Sequence, residues 1–172
     1  MATTLYDISV KTSIQMLESS IGLMNKAKDH FGKEKANELL DYQLAADMLP
    51  LKFQVNSIRH HSLGSLEGMR RGEFNPPPSL PDMDFDAYLN YLNEALTELK
   101  AVDNNEVNSL EGKAMMFRMG EKFEMPFLAE NFAASFSIPN LMFHVTTMYD
   151  MFRINGLEIG KIDFLGSPRV GH

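Results

Sequence analysis

The chain has 172 residues, which is the usual size of one domain. Hydrophobic residues make up 44% and charged residues 23%, a composition typical of a folded globular protein and not of a disordered chain. The net charge of −7 disfavours binding to a nucleic acid backbone, and the absence of cysteine excludes disulfides, iron–sulfur clusters and thiolate zinc sites. With no apolar run long enough to cross a membrane and no signal peptide, we expect a single cytoplasmic domain, residues 1–172.

The first half of the chain predicts two long helices. Apolar residues recur every three or four positions over residues 9–29, which is the pattern of an amphipathic helix, and Gly32 suits a residue that ends it. Residues 35–48 predict a shorter helix or an irregular crossing. A second long helix begins at Pro50, because proline is tolerated in a first turn, and it ends before Gly72.

The middle of the chain predicts a stiff connection, a third helix and a small hairpin. Four prolines within residues 74–81 exclude a helix there and favour an extended connection. Residues 84–102 carry leucines at helical spacing and an aspartate-rich start, so they predict the third helix. The period then changes, and residues 114–125 predict a hairpin that turns near Gly120.

The last third predicts a fourth helix followed by an irregular tail. This helix spans about residues 126–155, is interrupted or kinked at Pro139, and ends at Asn155-Gly156. The tail, residues 157–172, is expected to pack back across the helices. The fold class that follows is all-α: an antiparallel four-helix bundle with a small accessory hairpin and a C-terminal tail packed on the bundle.

Two histidines are the first candidates for a functional site. With about 100° of rotation per residue, His61 lies at the edge of the inner face of the second helix, whereas His60 points away and should be solvated. One interpretation is that His61 reaches a groove between helices. The alternative is a boundary histidine that bonds to a neighbouring carbonyl.

The fourth helix carries the better candidate, His144. Asn140, His144 and Thr147 form one polar stripe on a helix that is otherwise apolar nearly all round. A buried polar stripe is costly unless its members bond to each other, to water or to a ligand. The stripe therefore indicates either a small pocket lined by His61, Asn140, His144 and Thr147 or a self-satisfied hydrogen-bond network.

Two segments resemble a known family. They are Gln54-Val-Asn-Ser-Ile-Arg-His-His61 and the stretch from Ile138 to Gly166, which contains Gly-Lys-Ile-Asp-Phe-Leu-Gly. Together with Tyr6-Asp-Ile-Ser-Val10 and Ala46-Asp-Met-Leu-Pro50, they make the whole chain similar to a bacterial DinB-like family of unknown function. The resemblance implies the DinB-like four-helix bundle and favours a homodimer.

The resemblance also implies a place for a divalent metal. Metal-binding members of the wider superfamily place one histidine on the second helix and two on the fourth, and His61 and His144 match two of these three places. The third has no histidine, since Asn140 and Met148 stand one turn to either side of His144. The signal for a metal is therefore weak, with His61 and His144 as its ligands and the third ligand missing.

Two functions are open. In the first, the polar pocket between the second and fourth helices binds a small molecule, or weakly a divalent metal. If the chain is an enzyme, which the sequence leaves uncertain, His144 is the best candidate for a general base or ligand, and Asn140 for the residue that orients His144 or the substrate. In the second, the bundle is non-catalytic, it self-associates or binds a partner protein, and the polar network is structural.

Overall fold

The computed structural model describes residues 3–120 and 123–170 and is mostly helical. The helices are α1 (Leu5–Ile8), α2 (Val10–Leu39), α3 (Leu51–Arg59), α4 (Ser65–Arg71), α5 (Phe85–Lys100), α6 (Asn104–Asn108), α7 (Ala129–Phe132), α8 (Ile138–Ile154) and α9 (Lys161–Leu165). Two π-helical segments, π1 (His60–Gly64) and π2 (Ala133–Ser137), continue α3 into α4 and α7 into α8. None of the described helices is both long and apolar enough to cross a membrane.

Four long helical segments enclose the hydrophobic core. Helix α2 packs against α5 and α8, while α3 packs against α8 and α5, so the four contact one another around a common interior. Leucine, methionine, isoleucine and phenylalanine side chains fill that interior at helical spacing, because each helix buries one apolar stripe. The contact between α3 and α8 is the one that positions both candidate histidines.

Two of the predicted helix boundaries differ from the structure. At Gly32 the backbone of α2 breaks, with a φ of 74° that favours glycine, but the helix resumes and runs to Leu39. Residues 126–128 belong to a strand and not to the fourth helix. The interruption expected near Pro139 is present as π2, which ends two residues before this proline.

The class all-α needs a correction, because the structure contains a small three-stranded sheet. The expected hairpin is present as β2 (Ala114–Met119) and β3 (Phe123–Leu128), which pair antiparallel. A short strand, β1 (Glu73–Phe74), joins β2 in parallel and begins the segment expected only to be extended. Gly120, whose φ is 65°, follows β2 directly; part of the expected turn, residues 121 and 122, lies outside the described residues.

The C-terminal tail packs on α2. Helix α9 ends with two backbone carbonyls, those of Asp163 and Phe164, that accept from Ser19 Oγ at 3.0 and 2.6 Å. The carboxylate of Asp163 pairs with Lys26 at 2.5 Å. The tail therefore lies mainly against α2 and also contacts Tyr149 of α8; residues 171 and 172 lie outside the described part of the chain.

Candidate functional site

The structure brings His61 and His144 together. Their imidazole rings stack with centroids 5.7 Å apart and planes inclined by 17°. His61 comes from π1 and is 7% exposed, whereas His144 comes from α8 and is half-buried. Two histidines that are 83 residues apart in the chain thus form one pair at the contact between two helices.

A glutamine fixes the orientation of His144. The Nδ1 atom of His144 lies 2.8 Å from Oε1 of Gln54 on α3. The amide nitrogen of Gln54 donates to the carbonyl of Leu49 at 2.9 Å, so its oxygen is the group turned toward the imidazole. An amide oxygen can only accept, and Nδ1 of His144 must therefore carry the proton, which leaves Nε2 with a free lone pair.

A serine lies beside His61. Ser137 Oγ donates its one hydrogen to the backbone carbonyl of His61 at 2.9 Å. The same oxygen lies 3.5 Å from Nδ1 of His61, which is too long for a hydrogen bond that fixes the tautomer of this ring. Of the two imidazoles, His144 is therefore the one whose tautomer a close partner selects.

Burial keeps both imidazoles neutral. Desolvation is the main cause that lowers the pKa of His61 to about 3, and the neighbouring His60 and His144 lower it further. Desolvation likewise lowers the pKa of His144 to about 4, with a smaller contribution from His60. At pH 7 neither ring is charged, so the pair can accept hydrogen bonds but is a weak general base.

Aromatic rings surround the pair. The ring of Phe53 lies edge-on to His144 at 6.0 Å, and Phe143 lies edge-on to it at 5.3 Å. The ring centroids of Phe74 and Phe136 lie 5.5 and 6.1 Å from that of His61. These apolar walls are the source of the desolvation, because they replace the water that would otherwise stabilise a charged imidazolium.

The other two residues of the expected pocket turn toward their own helix. The amide nitrogen of Asn140 donates to the carbonyl of Phe136 at 2.7 Å, and Thr147 Oγ1 donates to that of Phe143 at 2.8 Å. Each bond joins a side chain to the carbonyl four residues earlier. Gln54, and not Asn140, orients His144.

Five depressions in the described part of the chain are lined by other residues, and the four-residue pocket stays a prediction.

His60 differs from the expectation that it is solvated. Its Nε2 atom lies 2.7 Å from the carbonyl of Asn75, and its ring stacks on Phe74 at 4.3 Å. Burial lowers its pKa as well. The reason is that Phe74 of β1 and Asn75, which follows this strand, lie against His60 and cover a face that the helical projection leaves open.

The residues present do not fit a three-histidine metal centre. Among the described residues, no group of three or more His, Cys, Asp or Glu side chains is arranged to hold a metal ion. Met148, which stands one turn after His144, is fully buried in the core, and the amide nitrogen of Asn140 is already used. The pair supplies two nitrogen ligands, one fewer than the usual minimum for a protein metal site.

Sequence reasoning missed Gln54 and Ser137, the two residues that hold the histidines. Gln54 stands seven residues before His61, and this spacing places both side chains on one face of a helix, so the signal was present. Ser137 had no such signal. Its bond to the His61 carbonyl depends on π1 and π2 facing each other, and π-helical turns often lie at functional sites.

Comparison with known proteins identifies the family. The family model described as "Domain of unknown function (DUF1993)" matches residues 5–165. The chain belongs to the DUF1993 family. It is also similar to a crystal structure of a DinB family member protein from Shewanella denitrificans, with 26% sequence identity, a TM-score of 0.74, and coverage of 98% of this chain and 95% of that one. No protein of curated function matches the chain.

These similarities confirm the resemblance to a DinB-like family of unknown function. Because the DUF1993 match spans both helices that carry the histidines, His61 and His144 lie within the family's own domain. The similarity indicates the fold and shows that the histidine pair lies inside the family's domain. The chemistry of the site has to be argued from its own residues.

Proposed function

We propose that this DUF1993 protein is a DinB-like four-helix bundle that binds a small molecule at the histidine pair. Its helices are not all antiparallel as expected, because Lys52 and Tyr88 meet near the starts of α3 and α5, and Arg59 and Tyr91 meet farther along both helices. The ligand would place an N–H or O–H donor on Nε2 of His144, beside His61. One observation carries the proposal: two neutral imidazoles stack with their centroids 5.7 Å apart, and Gln54 holds the Nδ1 proton of His144 so that its Nε2 is free to accept.

The low pKa values support binding over proton transfer. A general base works best when its pKa is near the working pH, whereas the pKa of His144 is lowered to about 4. A neutral imidazole that is half-surrounded by phenylalanine still accepts hydrogen bonds well, because the local dielectric is low. The proposed role is therefore recognition of a donor group.

A matched pair of probes tests the proposal. Acetamide has two N–H donors, whereas N,N-dimethylacetamide has none and is otherwise similar. We expect acetamide, but not its dimethyl analogue, to shift the ring 15N resonances of His61 and His144 in a titration by NMR. His144→Asn should abolish the shift at that position, since asparagine can keep the bond to Gln54 but has no second ring nitrogen.

A control variant at an exposed histidine and a titration with Zn²⁺ complete the experiment. His30 is exposed, so His30→Asn should leave the titration unchanged. If neither imidazole responds to acetamide, or if both probes act equally, the proposal is wrong. If one equivalent of Zn²⁺ binds and His144→Asn removes that binding, a metal replaces the small molecule as the ligand.

A second candidate is a non-catalytic bundle that self-associates through α8. Phe143 and Ile154 are 56% and 64% exposed, and their spacing puts both on the outward face of that helix. Under this candidate the histidine network is structural. Light scattering should then show a homodimer that the pair of changes Phe143→Ser and Ile154→Ser converts to a monomer; a wild-type monomer at high concentration would exclude self-association.

A further inference from the structure

A groove runs between the proline-rich connection and the helices α3 and α5. One end is a cavity of about 260 Å³, and the other is a depression of about 370 Å³. Lys52 of α3 and Tyr88 of α5 line both ends, so the two adjoin at these side chains. Residues 77–80 of the connection line the first end, and residues 82–84, which follow them, line the second. The chain before α5 therefore forms a wall along both ends of the groove.

The two ends of the groove differ in chemistry. The first end is lined mostly by apolar side chains, which are those of Leu49, Pro50, Phe53, Pro77, Pro78 and Leu80. The second end has three carboxylates, those of Asp41, Asp82 and Asp84, against the one ammonium of Lys52. The groove is thus apolar at one end and negatively charged at the other.

The three carboxylates are not equally available. Asp41 pairs with Lys52 at 2.6 Å, so these two charges neutralise each other. Asp84 accepts from the backbone N–H of Ala87 at 2.9 Å and caps the start of α5. Asp82 is exposed at the same end, and its carboxylate forms no ion pair with the residues that the structure describes. Asp82 therefore supplies an unmatched negative charge that lines the groove.

A buried hydroxyl lies between the two ends. Tyr88 is 4% exposed, and its hydroxyl has no hydrogen-bond partner within residues 3–120 and 123–170. The hydroxyl is reached from the groove, because this tyrosine lines both ends. Burial raises the pKa of Tyr88, and the charge of Lys52 opposes this shift while that of Asp82 adds to it, so the hydroxyl is protonated at pH 7. A tyrosine hydroxyl in such a place usually bonds to water or to a ligand.

From this arrangement we infer that the groove binds a small primary amine with an apolar body. The body would occupy the cavity among Phe53, Pro78 and Leu80. The ammonium group would donate to the carboxylate of Asp82 and to the hydroxyl oxygen of Tyr88, since it has three N–H donors and no acceptor. The inference does not use the histidine pair.

Calorimetric titration with phenethylamine and phenethyl alcohol tests the inference. At pH 7 the amine is a cation, whereas the alcohol has the same ring and chain without the charge. We expect phenethylamine to bind with a dissociation constant about fivefold below that of phenethyl alcohol, which is the scale of one solvent-accessible ion pair.

Two variants assign the contacts. Asp82→Asn should weaken phenethylamine about fivefold and leave phenethyl alcohol unchanged, because only the charge is lost. Tyr88→Phe keeps the ring in the core and removes the hydroxyl, so it should weaken both compounds about threefold. Glu111→Gln removes a negative charge from an exposed position outside the groove and should change neither affinity. His144→Asn should change neither affinity, which separates the groove from the histidine pair.

The control titrations decide against the inference in three cases. Phenethyl alcohol may not bind as tightly as phenethylamine, and the loss in Asp82→Asn may not equal that in Glu111→Gln. Methylamine has the charge without the apolar body, so it must bind far more weakly than phenethylamine. A result that breaks any of these conditions, or an absence of heat with phenethylamine, overturns the inference.

NMR of the wild-type protein gives a second measurement that needs no variant. Phenethylamine should shift the methyl signals of Leu80 at the apolar end and the carboxyl signal of Asp82 at the acidic end, with the same concentration dependence. A shift of the Asp82 signal while those of Leu80 stay in place would mean that the amine is held by surface charge alone, which contradicts the inference.

Discussion

The two sides of α3 differ in how their polar groups are satisfied. Toward α8, burial keeps His61 and His144 neutral, and Gln54 holds His144 through Nδ1. Toward α5, Arg59 keeps its charge against the ring of Tyr91 and lacks an acceptor for Nε among the described residues. The contact of α3 and π1 with α8 therefore holds neutral polar groups, whereas the contact of α3 with α5 holds a charged one.

The largest expected effect comes from removing the aromatic support of the histidine side. Phe74 is 1% exposed and contacts the rings of His60, His61, Phe117, Phe132 and Phe136. Phe74→Ala should lower the free energy of unfolding by about 3–5 kcal/mol, through lost burial and a cavity. Phe143→Ala, at a 56% exposed position, should cost less than about 1 kcal/mol.

Urea unfolding of both variants measures this difference. A loss below about 1 kcal/mol for Phe74→Ala would mean that the rings around His61 are not packed as described.

The next effect is the pH dependence of stability. The pKa of His144 is about 4 in the folded state, below the ordinary value of 6.5, so the unfolded chain binds the proton first as the pH falls. The free energy of unfolding should therefore fall between pH 6.5 and pH 4 and be constant with respect to this group above pH 7. His144→Asn should reduce the slope of the unfolding free energy against pH in that window, by the amount that corresponds to about one bound proton.

The histidine variants separate the two sides of α3. His61→Asn should reduce the slope similarly, since the pKa of His61 is lowered to about 3. Arg59→Gln should leave the slope as it is. Urea unfolding at several pH values gives the slopes, and an unchanged slope in His144→Asn would contradict a buried neutral imidazole.

A smaller effect is expected from the residue that orients His144. Gln54→Leu removes the acceptor of the Nδ1 proton and leaves that donor half-buried without a partner, which should cost about 1–3 kcal/mol of unfolding free energy. Gln43→Leu is the control, because Gln43 is exposed. Thermal and urea unfolding measure both. Equal stability of the two variants would show that Gln54 does not hold the imidazole.

The smallest effect is expected from Arg59 itself. Arg59→Gln removes a cation–π contact worth about 0.5–1 kcal/mol, but it also removes a charge that has no acceptor for Nε. The net change in unfolding free energy should be within about 1 kcal/mol. A loss of several kcal/mol in urea unfolding would show that Arg59 stabilises the fold.

The helices could be predicted from sequence because their apolar residues recur with the helical period. Glycine and proline also act locally, so the break at Gly32 and the extended segment after Phe74 follow from single residues. Strand β1 could not be found in this way. Two residues form a strand only because β2, more than 40 positions later, offers its edge.

The site was predictable in part. The polar stripe on the fourth helix identified His144, but helical projection put His61 at the edge of its face, whereas the structure buries it. The reason is π1, which carries His61 and changes the rotation per residue at that point. Helical spacing predicted that Asn140 orients His144. In the structure Asn140 donates to a carbonyl of its own helix, and Gln54 of α3 is the hydrogen-bond partner of His144.

The most direct test of the account is the protonation of each ring nitrogen in the histidine pair. Long-range 1H–15N NMR at pH 7 distinguishes protonated from bare nitrogens in an imidazole. We expect both His61 and His144 to be neutral, with the proton of His144 on Nδ1 and a bare Nε2. A proton on Nε2 of His144, or a charged ring at this pH, would contradict the claim that burial keeps the pair neutral and that Gln54 leaves Nε2 of His144 free to accept.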